Sequence, residues 1–171
     1  MSTFTQIYYH IVFSTKNRES ILIKNQREDL FKYIWGILKN KKCILYRINA
    51  VEDHIHILSS LHPSISLSDL IRFLKTSTAS WIKKNNVFPY FHNWQEGYGA
   101  FSISHEAKGN VIEYIIGQEE HHKKDCPPGL SALPPTPGAI IVYLLRRYFV
   151  ICGQVSACPH VYLNHKKTDL N

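Results

Sequence analysis

Apolar residues change their spacing several times along the chain, and each change marks an element. Over 5–15, in TQIYYHIVFST, Ile7, Tyr9, Ile11 and Phe13 recur at every second position with Tyr8, His10 and Val12 between them. This alternation predicts a strand. Over 26–40 the apolar residues Leu30, Phe31, Ile34, Ile37 and Leu38 take spacings of three and four, which predicts a helix with one buried stripe. CILYRINAV at 43–51 and HIHILSSL at 54–61 return to strand character. The short Glu52-Asp53 connection joins them as a hairpin.

After Pro63, SLSDLIRFLKTSTASWIKKNN opens with Ser66 three residues before Asp69, a helix-start signal. It sets Leu67, Leu70, Ile71, Leu74, Trp81 and Ile82 on one helical side, with Arg72, Lys75, Lys83 and Lys84 elsewhere. AFSIS at 100–104 alternates as a fourth strand. Asn110, with Glu113 three residues on, predicts the start of a third helix running to about 122. The order β-α-β-β-α-β followed by a helix predicts an α+β fold of the ferredoxin-like split βαβ kind. In it, two helices cover one face of a four-stranded antiparallel sheet. DCPPGLSALPPTPG, from Asp125, holds five of the chain's eight prolines, a composition of extended linker rather than regular structure. One domain over 1–124 and a proline-rich linker and tail over 125–171 are therefore expected.

Composition adds charge to this picture. Hydrophobic residues make up 44% and charged residues 19%, an ordinary globular balance. Twenty Lys and Arg against thirteen Asp and Glu give a formal charge of +7, with ten His besides, which favours an anionic partner such as nucleic acid. The opening MSTFTQIYYHIVF lacks a basic leader region and cleavage site, and AIIVYLL at 139–145 is too short to span a bilayer. A cytoplasmic protein without a membrane segment is expected. Cys43, Cys126, Cys152 and Cys158 form no CxxC pair, and Cys152, Cys158 and His160 lack a fourth ligand and the spacing of a zinc site.

Candidate chemistry begins with DHIHIL at 53–58. Alternation along a strand puts His54 and His56 on one face, about 7 Å apart, and Ile55 and Ile57 on the other. In NVIEYIIGQEEHHKK, Tyr114 and Gln118 are four residues apart and share a helical face, about 6 Å apart along the axis. Taken alone, that pair reads as a core or surface tyrosine beside a solvated glutamine. A helix packed over the histidine face would change the reading, because two imidazoles and the Gln118 carbonyl oxygen make a three-ligand site with open positions. Such a mixed site suits Mg²⁺ or Mn²⁺ better than structural zinc. The ion would act as a Lewis acid on a phosphodiester while Tyr114 attacks phosphorus. Help is needed, since a phenol with pKa near 10 is ionised in roughly one molecule in a thousand at neutral pH.

Five stretches carry a family resemblance: YYHIVFSTKNR at 8–18, VEDHIHIL at 51–58, SLSDLIRFLKTSTASWI at 66–82, WQEGYGAFSIS at 94–104 and VIEYIIGQEEHHKK at 111–124. Residues 3–124 resemble the single-tyrosine HUH transposases of the small IS200-like insertion sequences, which include the REP-associated tyrosine transposases. The resemblance implies that His54, His56 and Gln118 bind the divalent metal and that Tyr114 is the nucleophile. It further implies cleavage of single-stranded DNA at hairpin-containing ends, a 5′-phosphotyrosine with a free 3′-hydroxyl, and a homodimer whose sheets join. Lys16, Arg18, Arg72, Lys75, Lys83, Lys84, Lys123 and Lys124 are available to phosphates, and Trp94, Tyr98 and Phe101 to unpaired bases. Two competing readings keep the fold and change the chemistry. One is a hairpin DNA- or RNA-binding module descended from a decayed transposase; the other is hydrolysis by metal-activated water, which would tolerate Tyr114→Phe.

Overall fold

Strand β1 (Tyr8–Ser14) lies between two antiparallel partners in the computed structural model, which describes residues 5–118. The elements follow in chain order as α1 (Arg27–Asn40), β2 (Leu45–Ala50), β3 (His54–Ser60), α2 (Leu67–Asn85), β4 (Gly99–Ile103) and α3 (Lys108–Ile116). The four strands form one antiparallel sheet in the spatial order β2-β3-β1-β4. This is the split βαβ arrangement the apolar spacing predicts, with β1 and β3 inside.

Alternation gives the sheet two different faces. Ile11 and Phe13 of β1 and Ile55 and Ile57 of β3 point to one side. There they meet Leu30, Ile34 and Leu38 of α1 and Leu70, Ile71, Leu74 and Ile82 of α2. Each is essentially fully buried, which stabilises the fold by about 1.5–3 kcal/mol per large aliphatic side chain before entropy is counted. The helix stripes are thus those read from the spacing of three and four. Ser66 caps α2 as expected, its Oγ accepting from the Asp69 backbone N–H at 3.1 Å.

On the opposite face Tyr8, Leu58 and Ile103 pack with Val111, Tyr114 and Ile115 of α3 in a second, smaller core. Here α3 begins at Lys108, two residues before the expected start at Asn110. The Val111 N–H already donates to the Ala107 carbonyl, so Asn110 lies inside the first turn and no side chain caps the helix. The remainder of the expected helix to about 122, with Lys123, Lys124 and the proline-rich tail, lies outside the described residues. Among the described residues no helix is long and apolar enough to cross a membrane.

The segment 93–98 is tied to the end of the sheet where His54 lies. Trp94 bridges Thr15, Gln95 N–H donates to Ser14 O at 2.8 Å, and Lys16 N–H donates to Asn93 O at 2.9 Å. Trp94 is buried, packs edge-on against Phe13 and Phe91, and donates its indole N–H to Thr78 Oγ1 at 2.8 Å. It is a core anchor, which removes it from the expected base-stacking set. Lys75 is also committed: its ammonium donates to the carbonyls of Gln95 at 2.5 Å and Gly97 at 2.8 Å. Burial lowers its pKa, and a lysine so held clamps a loop rather than waiting for a phosphate. Lys75→Met should lower stability by about 1–3 kcal/mol and quicken amide exchange across 93–98. A denaturant titration with exchange mass spectrometry checks this, and unchanged exchange there would contradict the clamp.

Candidate active site

The β1–β3 register sets Val12 opposite His56 and Ser14 opposite His54, and β2 sets Asn49 opposite His56. Both histidines therefore project from an inner strand onto the face that α3 covers, and both are buried, His56 completely. Their ring centroids are 5.0 Å apart. Over them α3 brings Tyr114, whose ring lies 5.8 Å from that of His56. Gly117 closes α3, and the next residue, Gln118, reaches back so that its Nε2 is 3.0 Å from His54 Nε2. The four residues singled out in the sequence thus converge on one spot.

Hydrogen bonds assign a proton to His54. Its Nδ1 is 2.6 Å from Asp53 Oδ1, and Arg18 Nε donates to the other carboxylate oxygen at 2.8 Å. Burial alone would push the Asp53 carboxyl up. The hydrogen bond from His54, its charge when the ring is protonated, and then the Arg18 guanidinium outweigh burial and hold it at about 2. An ionised carboxylate only accepts, so His54 Nδ1 carries a proton, and in the neutral ring Nε2 is left with its lone pair toward Gln118.

The buried amide of Gln118 gives the clearest measure of what the site can hold. Its Nε2 faces His54, while its Oε1 is buried and, among the described residues, has no hydrogen-bond partner. A buried oxygen left in this way costs about 1–3 kcal/mol, which a ligand would recover. Among the described residues no three His, Cys, Asp or Glu side chains group to hold a metal. The donor set is instead two imidazoles and a hard amide oxygen, which fits Mg²⁺ or Mn²⁺ with positions left for water or phosphate.

A family model described as "Transposase IS200 like" matches residues 3–118. The chain belongs to the IS200-like transposase family. The ISDra2 transposase TnpA of Deinococcus radiodurans is 21% identical over 122 residues, covering 67% of this chain and 86% of that protein. Two solved structures share the fold. A crystal structure provisionally described as a transposase of Deinococcus radiodurans R1 matches with a TM-score of 0.54 at 19% identity, over 69% of this chain and 95% of that one. A REP-associated tyrosine transposase bound to a REP hairpin matches with a TM-score of 0.55 at 17% identity, over 71% and 74%.

Within this IS200-like transposase, the cations read from the sequence separate into distinct groups. Arg18 reaches the site edge through Asp53, and exposed Lys16 is two residues away. Arg72, Lys83 and Lys84 instead ride α2, in the layer across the sheet from the histidines, and Arg72 pairs with Asp69 at 2.6 Å. Lys75 is the loop clamp already described, and Lys123 and Lys124 lie outside the described residues. Of the aromatics, Tyr98 is exposed and Phe101 half-buried. Lys108, which the sequence reading did not select, stands over the rings of Tyr8 and Tyr46 on the histidine face.

Two further side chains contact the site or its helix and were not selected beforehand. His10 Nε2 is 2.8 Å from His56 Nδ1. The only advance signal was its place in the β1 alternation, because its partner lies 46 residues away. Asn49 donates from Nδ2 to the Ile115 carbonyl at 2.8 Å, tying the last turn of α3 to β2. Asn49→Ala should cost about 1 kcal/mol and raise amide exchange over 114–118, with β1 and β3 unaffected. The same exchange rates in variant and wild type would show that Asn49 does not anchor the helix.

Proposed function

We propose that this transposase cleaves and rejoins single-stranded DNA at hairpin-containing ends through a covalent bond between Tyr114 and a 5′-phosphate. The convergence of Tyr114, His54, His56 and Gln118 on one buried patch supports this most directly. A module that only bound DNA would have no need to bury two imidazoles, a phenol and an amide together, since taking polar groups out of water costs stability. The relative bound to a REP hairpin supports hairpin DNA as the substrate class.

In the proposed reaction the Tyr114 hydroxyl oxygen attacks phosphorus as the P–O3′ bond breaks. The phenolic proton is lost, the 5′-phosphate stays on tyrosine, and the departing strand takes up a proton as a free 3′-hydroxyl. Attack by a 3′-hydroxyl on the phosphotyrosine reverses these steps and joins strands, with no nucleotide hydrolysed. Asn49 and the apolar contacts of Val111 and Ile115 hold the tyrosine helix against the sheet. Asp53 holds His54 with its Nε2 lone pair toward the site. A Mg²⁺ or Mn²⁺ ion held by His54, His56 and Gln118 would supply Lewis-acid polarisation of the phosphate. Lys16 and Arg18 suit the strand beside the site, and a homodimer accords with the family resemblance.

Purified full-length protein, incubated with labelled hairpin DNA from its own genomic flanks and Mn²⁺, should form a covalent band on a denaturing gel. Tyr114→Phe should abolish the band, and His54→Ala or His56→Ala should reduce it by at least 100-fold while the proteins stay folded. Cleavage that persists in Tyr114→Phe would instead favour activated water. Binding of cognate ends by the wild type with no adduct would favour a non-catalytic module.

A further inference from the structure

His54 has a carboxylate to orient it; the corresponding nitrogen of His56 meets another histidine. His10 projects from β1 onto the same face, is 4% exposed, and lies with its Nε2 2.8 Å from His56 Nδ1. Its ring centroid is 4.9 Å from that of His56, 6.2 Å from Tyr114 and 6.2 Å from Phe101, so it fills the wall between the histidine pair and the tyrosine. One proton serves the contact between two neutral rings. Carried by His56 Nδ1, it leaves His56 Nε2 with a lone pair. Carried by His10 Nε2, it puts the His56 proton on Nε2 and removes that ring as a ligand.

We propose that His10 is a positioning residue whose Nε2 accepts the Nδ1 proton of His56, fixing the tautomer and ring orientation that present His56 Nε2 to a divalent cation. The inference rests on the metal-site reading of His54, His56 and Gln118 and assigns that site a second orienting acceptor. Asp53 and His10 then act in parallel, each accepting a hydrogen bond from the Nδ1–H of one histidine. Their different chemistry follows from depth. Asp53 sits at the edge with Arg18 to balance its charge, whereas His10 is on an inner strand and its partners among the described residues are His56, Phe101 and Tyr114. A carboxylate there would be a buried unpaired charge, and a neutral imidazole accepts the same proton without one.

Long-range ¹H–¹⁵N spectra of the histidine rings in metal-free full-length protein read the tautomer directly. Wild type should show His56 protonated at Nδ1. His10→Phe, which keeps a ring but removes the acceptor, should convert His56 to a mixture or to the Nε2–H form. Mn²⁺ affinity measured by calorimetry should fall by roughly 10–100-fold. His10→Gln, which restores an accepting oxygen, should recover the tautomer and most of the affinity, with melting curves confirming that both variants fold. A wild-type His56 protonated at Nε2 overturns the proposal, as does a folded His10→Phe with unchanged tautomer and Mn²⁺ affinity. The expected tautomer in a wild-type protein that binds no Mn²⁺ would overturn the metal-site reading and uphold the lock.

Discussion

Everything functional in this chain depends on the pairing of β1 with β3 at the centre of the sheet. Both strands are buried on both faces, so alternation sorts their side chains without compromise: isoleucines toward α1 and α2, histidines toward α3. A register slip of one residue would turn His54 and His56 into an aliphatic core and Ile55 and Ile57 into the site. The roughly 1.5–3 kcal/mol gained by each buried isoleucine opposes that slip, so hydrophobic packing on one face fixes the position of polar chemistry on the other.

The polar face carries its own cost, and it is offset locally. Each imidazole at β3 is matched by a neighbour that can accept a hydrogen bond from its Nδ1, Asp53 for His54 and His10 for His56. Asn49 ties α3 to the sheet through a backbone carbonyl rather than through apolar contact alone. Among the described residues the buried oxygen of Gln118 has no hydrogen-bond partner. In a family of DNA transposases, a buried acceptor left open beside two imidazoles is the kind of departure from full hydrogen bonding that function explains.

Much of this was legible in the residues. The switch from period two to spacings of three and four gave the element order, and the Ser66 cap marked the start of α2 to the residue. The faces of His54 and His56 followed from alternation, and the Tyr114–Gln118 pair from helical spacing. What escaped depended on distant pairing. His10 stood on the correct face of β1, yet its meeting with His56 required the β1–β3 register, which no local pattern encodes. Trp94 and Lys75 looked available because their buried partners, Thr78 and the 95–97 carbonyls, are brought to them only by the folded loop. Arg72, Lys83 and Lys84 were read as available to phosphates, and a net charge carries no information about which side of the sheet their helix covers. The Asn110 start signal was overridden by the Ala107 carbonyl, which accepts from Val111 and begins α3 earlier.

The chain has ten tyrosines, and among the described residues Tyr114 is the one that α3 packs over the histidine face. Proteolysis of protein trapped on cognate hairpin DNA, followed by mass spectrometry of the peptide carrying the nucleotide, asks which of them reacts. A 5′-phosphonucleotide on Tyr114 alone is the expected result. The nucleotide on any other residue would contradict the assignment of this site as the place where DNA is cut.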